Sequence, residues 1–70
     1  MAIFPNLMIE LKRNHYSQQG LARYIGISPS SMQNKLKGRT QFTLQEMLAI
    51  QSVFHNCSLD YLFTEFQEKE

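Results

Sequence analysis

Residues 28–38 read SPSSMQNKLKG. The stretch opens and closes like a helix. A serine hydroxyl is a good N-cap, because it accepts a backbone N–H two or three residues on. Proline suits the first helical position, where its missing N–H does no harm. Gly38 can end the helix in a left-handed conformation. Yet only Met32 and Leu36 are large and apolar. On a helical wheel they form a thin stripe with Pro29 nearby. The far side carries Ser30, Asn34 and Lys37, flanked by Ser31 and Gln33. Such a helix rests on a core by one edge and turns a broad polar surface outward. Asn and Gln can bond an adenine edge bidentately, and a major groove admits a helix. A solvated face is the plainer alternative. Solvated faces, however, usually mix signs and carry Glu, and no acid occurs between Glu10 and Glu46.

The preceding residues fit the same idea. "LARYIGIS", residues 21–28, puts Leu21, Ile25 and Ile27 inward around a turn at Gly26. Ala22 is small where two helices must approach closely. Ser17 is a natural cap for this helix, although Gly20 weakens it by about 1 kcal/mol relative to Ala. Two helices joined this way form a helix-turn-helix, whose second member reads the groove while the first crosses the backbone.

Charge is divided along the chain. Residues 11–45 hold six bases (Lys12, Arg13, Arg23, Lys35, Lys37, Arg39) and no acid. Residues 46–70 hold five acids and one base. A net charge of +1 hides this split. It points to one face that meets a polyanion and another that does not.

Seventy residues make one domain, 1–70. Helices are expected near 6–14, 18–25, 29–37, 44–54 and 59–66, giving an all-α fold of five helices. Asn6 is read as the first cap. "TLQE", residues 43–46, is a capping box. Met47, Ile50 and Phe54 follow at helical spacing, and Leu44, Leu48 and Val53 widen that face. Ser58 caps the last helix, which carries Leu59, Leu62, Phe63 and Phe66. Among the aromatic residues, Phe42, Phe54 and Phe63 are expected to pack.

Several chemistries find no support. No apolar run approaches the roughly 18 residues that span a bilayer. The start, MAIFPN, lacks the charged and apolar regions of a secretory signal. Cys57 stands alone, which fits a reduced, cytoplasmic setting and a small buried side chain. His15 and His55 have no partner at metal-ligand spacing, so surface or capping roles are expected. The serines lie in no nucleophile elbow, and the glycines fit no phosphate loop. Neither an enzyme activity nor a cofactor is expected.

With these residues in view, "SQQGLARYIGISPSSMQNKLKG" (17–38) resembles the helix-turn-helix of the lambda-repressor-like (Cro and XRE type) DNA-binding proteins. "FTLQEMLAIQSVFHNCSLDYLF" (42–63) resembles their fourth and fifth helices, so the likeness covers residues 6–63. Short phage-type members are the nearest in pattern. The resemblance implies roles by position. Gln18 would bond a phosphate and brace the reading helix. Ser28, Ser30, Ser31 and Asn34 would face bases or nearby phosphates, with Gln33 next. Arg39 and Thr40 would clamp the DNA backbone, and Lys35 and Lys37 would add phosphate contacts. Pro29 stands at a base-reading position, and its ring suits a thymine methyl group. Lys35 stands where many members bury an aliphatic side chain. Gln51 replaces a common alanine and needs a hydrogen-bond partner.

The expected function is sequence-specific binding of double-stranded DNA by a transcriptional repressor. One small module makes few base contacts, so a homodimer on two half-sites is expected. Its interface would use the segment after Phe54 (Leu59, Tyr61, Leu62, Phe63, Phe66) with Leu48, or the apolar start Ala2 to Phe4. The acidic tail beyond Thr64 is expected to avoid the DNA. Two rivals stand beside this: an antitoxin or adaptor that keeps the fold without strong DNA binding, and one part of a larger repressor.

Overall fold

The computed structural model describes residues 3–66. It contains α1 (Pro5–Arg13), α2 (Gln18–Ile25), α3 (Pro29–Leu36), α4 (Leu44–Val53) and α5 (Leu59–Leu62), with no strand among the described residues. Serine or threonine hydroxyls open four of the helices. Ser17, Ser28, Thr43 and Ser58 each accept the N–H three residues on. The capping box is complete, since Glu46 also accepts the Thr43 N–H.

The first three helices end in one common way. One or two residues past each helix end, the backbone takes positive φ: His15 (55°), Gly26 (81°) and Gly38 (83°). In each case the next N–H reaches back five residues: Tyr16 to Leu11, Ile27 to Ala22 and Arg39 to Asn34. This is the Schellman arrangement, which satisfies carbonyls that a helix end leaves free. Two of the three sites use glycine, which has no Cβ to clash there. His15 does the work with its backbone.

Leu7, Leu11, Leu21, Ala22, Met32, Leu36, Ile50, Phe54 and Leu62 form the core. Packed between α3 and α4, α2 is the central element, while α5 closes the core against α1 and α4. A second apolar group joins it. Phe4, Phe42 and Phe63 meet edge-on or tilted, with centroids 5.4–5.7 Å apart.

Three expectations require correction. Asn6 does not cap α1. The helix starts at Pro5 after Phe4, without a side-chain cap, and Asn6 instead donates to the Tyr61 carbonyl at 2.9 Å. The last helix stops at Leu62 rather than reaching Phe66. Thr64 bonds the Asp60 carbonyl through its hydroxyl, and the Phe66 N–H goes to the Ile3 carbonyl at 2.7 Å. The Phe66 N–H is thereby withdrawn from helical bonding. Leu44 and Leu48 do not join the core; they are 62% and 46% exposed. Apolar residues surround α4 on nearly all sides, so spacing alone does not select the face that is buried.

One buried carboxylate ties the two ends of the chain together. Glu10 accepts the Tyr61 hydroxyl at 2.9 Å and the Arg13 guanidinium at 3.1 Å. The Tyr61 hydrogen bond, with Arg13, holds its carboxyl below the usual value of 4.5 although burial works the other way. Burial, with Glu10 nearby, pushes the Cys57 thiol up, which favours the protonated form at neutral pH. A carboxyl lowered by folding favours the fold in its ionised form. That contribution is complete above the ordinary value and is lost as pH falls through the lowered one. The stability gap between the wild type and Tyr61→Phe should therefore be largest above pH 4.5 and shrink as the solution is acidified below it. Urea melts at a series of pH values measure it; a constant gap would contradict the account.

Candidate nucleic-acid interface

The start of α2 lies beside the outer side of α3. Gln18, Gln19, Pro29, Ser30 and Gln33 line one shallow concavity of about 190 Å³. Gln19 was not singled out by the sequence, although the Gln18-Gln19 pair directly after the cap was the available signal. Ser30, Gln33 and Asn34, with Gln18 and Gln19, make no side-chain hydrogen bond among the described residues. Polar groups left free on a rigid helix are available to an outside partner. Asn34 is half-buried. Pro29 sits at the first helical position and is exposed.

Two serines are less free than expected. The Ser28 oxygen accepts the Ser31 N–H at 3.1 Å and its hydroxyl donates to Ser31 Oγ at 3.1 Å. Ser28 is occupied as a cap. Ser31 is half-buried, and one of its two acceptor sites is taken by Ser28.

Lys35 is turned inward. Its ammonium lies 2.9 Å from Glu46 Oε1 and 3.0 Å from the Gln41 carbonyl, 5.8 Å from the centre of the Phe42 ring. The Lys35 ammonium, expected to meet a phosphate, is here engaged within the fold instead. Burial raises the Glu46 carboxyl, but the Thr43 N–H and the Lys35 ammonium outweigh it and hold it below the usual range. Lys12, Arg23, Lys37 and Arg39 make no ion pair among the described residues.

The loop 37–43 carries Arg39 and Thr40, both exposed. Its base is held by the N-terminal segment. The Ile3 N–H bonds the Leu36 carbonyl at 2.9 Å, and the Ile3 side chain covers Gly38 so closely that a Cβ there would come within 2.9 Å. The start of the chain thus packs on its own domain, at least from Ile3 to Phe4; Ala2 lies outside the described residues. Glu65 lines the same hollow as Gly38, Thr40 and Gln41. The acidic segment after Thr64 does not keep wholly apart from this loop, and the further acids Glu68 and Glu70 lie outside the described residues.

A helix-turn-helix family model matches residues 7–62, most of the chain, from Leu7 in α1 to Leu62 in α5. This chain belongs to that lambda-repressor-like helix-turn-helix family. Comparison with curated proteins gave no match, nor did comparison with solved structures. The helix-turn-helix protein is thus a DNA-binding regulator of transcription. Its namesake pair is α2 and α3, joined through the left-handed Gly26. Gln51 has the partner its polarity requires: its amide donates to the Cys57 carbonyl at 3.2 Å. Among the described residues, no helix is long and apolar enough to cross a membrane, and no three His, Cys, Asp or Glu side chains gather to hold a metal.

Proposed function

We propose that the protein is a cytoplasmic repressor that binds a specific duplex sequence as a homodimer and reads the major groove with the outer side of α3. The observation that carries this is the row of unpartnered polar side chains on α3, Ser30, Gln33 and Asn34, beside Gln18 and Gln19. No carboxylate belongs to that row. Asn34 and Gln33 suit base edges, Ser30 either a base or a phosphate, and Pro29 a thymine methyl. Gln18 and Gln19 at the start of α2 suit a phosphate. Lys37, Arg39 and Thr40 supply contacts to the DNA backbone, which set register and most of the salt dependence. Repression needs nothing beyond occupancy of the site.

A homodimer doubles a small set of base contacts. The expected interface narrows considerably. Leu62 is fully buried, Tyr61 bonds Glu10, and Phe63 packs on Phe4 and Phe42. Leu48 and Phe66 remain exposed from the original set.

Selection of bound duplexes from a random pool at fixed salt tests the proposal. A two-fold symmetric sequence with half-sites about one helical turn apart is expected. A pool that shows no enrichment, with weak binding at every salt, would instead fit an adaptor. On the selected duplex, Arg39→Ala should weaken binding alike for preferred and scrambled sequences. It should also flatten the plot of log affinity against log salt by about 0.9 for the lost phosphate contact. A salt titration by fluorescence anisotropy reads both.

A further inference from the structure

We infer that Lys35 and Glu46 form a latch that positions the DNA-backbone loop 37–43, so that Lys35 serves DNA binding without touching DNA. The inference rests on the proposed contacts of Arg39 and Thr40 with phosphates.

Three anchors fix this loop. At its start, the Arg39 N–H bonds the Asn34 carbonyl at 2.9 Å. At its end, the Thr43 N–H bonds Glu46 Oε1 at 2.9 Å. Between them, Lys35 Nζ bonds the Gln41 carbonyl at 3.0 Å and the same Glu46 oxygen at 2.9 Å. One ammonium thus joins the body of α3, the middle of the loop and the first turn of α4. Arg39 and Thr40 project from the span between the first anchor and the second.

Stability is a weak explanation for the pair. The Lys35 and Glu46 side chains are only 13% and 16% exposed. Replacing such a buried pair by apolar groups is often neutral or stabilising, because both charges lose hydration. An aliphatic side chain at position 35 would also suit the core edge beside Phe42. What the ammonium offers and an aliphatic group does not is direction: it holds one loop carbonyl at one place. A phosphate contact requires its donors placed within a fraction of an ångström. Geometry therefore points to a positioning role.

The test is a double-mutant cycle on the selected duplex. Lys35→Met with Glu46→Gln removes the pair without leaving a lone charge, and the Gln amide oxygen can still accept the Thr43 N–H. Thermal melting should give a midpoint unchanged or higher, while duplex affinity falls about fivefold or more across preferred and scrambled sequences. Arg39→Ala should then cost much less in this background than in the wild type. Stability and binding move apart, which a purely structural role would not produce. Lys35→Leu with Glu46→Gln, which also leaves no lone charge, serves if the first pair of changes folds poorly; the same non-additivity is expected. Unchanged affinity, or losses that simply add to that of Arg39→Ala, would overturn the latch and leave the DNA contacts of Arg39 standing. No loss from Arg39→Ala in either background would overturn both.

Discussion

Leu21→Ala should lower the stability of the protein by about 2–5 kcal/mol. Leu21 is wholly buried on α2, the element packed against both α3 and α4. Removing its isobutyl group forfeits the transfer free energy and leaves a cavity that the neighbouring helices can only partly fill. Domains hold roughly 0.05–0.15 kcal/mol per residue, so a chain of 70 residues has about 4–10 kcal/mol in all. One truncation at the centre therefore removes a large fraction of the total. Urea unfolding followed by circular dichroism measures it. A denaturation midpoint close to that of the wild type would mean that Leu21 is not at the centre of the core.

Asn34→Ala should weaken binding to the preferred duplex by about 1–3 kcal/mol and relax the choice of base at one position. The Asn34 amide has no hydrogen-bond partner among the described residues, and the residue is half-buried. Ala is the better helix former, so the fold should be equally stable or slightly firmer. The slope of affinity against salt should hardly change, since no phosphate contact is lost. This separates Asn34 from Arg39, where the slope changes and base preference does not. Repeating the duplex selection with the variant shows which base is freed. If affinity and preference both survive the substitution, the bases are read elsewhere on the protein.

The roles assigned to α3 and its loop divide according to how local the deciding contacts are. Ser28 was legible as a cap because its partner is three residues away. The same partner occupies its hydroxyl, which residue type alone does not reveal. Lys37 and Arg39 stay unpaired among the described residues, in keeping with the acid-free run around them. Lys35 belongs to that run as well, yet its charge is met by Glu46, just past the run's end. A count of charges along the chain cannot see which of them are already neutralised. Gln19 illustrates the reverse case. Its place beside Gln18 after the cap is only a faint mark, and it joins the site because α2 and α3 are set side by side.

From sequence alone, the number of helices, most of their ends and the placing of a polar face on α3 were determined. Ser17, Ser28, Thr43, Ser58, Gly26 and Gly38 act through backbone bonds that close within five residues, so short stretches carry the information. Only the tertiary structure decided that Asn6 reaches Tyr61, that Ile3 holds both Leu36 and Phe66, and that the last helix ends at Leu62. It also decided that Leu44 and Leu48 face outward and that Lys35 faces inward. In each of these cases the outcome depends on which distant backbone group or surface the fold brings near. A donor or an apolar side chain takes the partner that packing supplies, and its neighbours in the chain do not specify that partner.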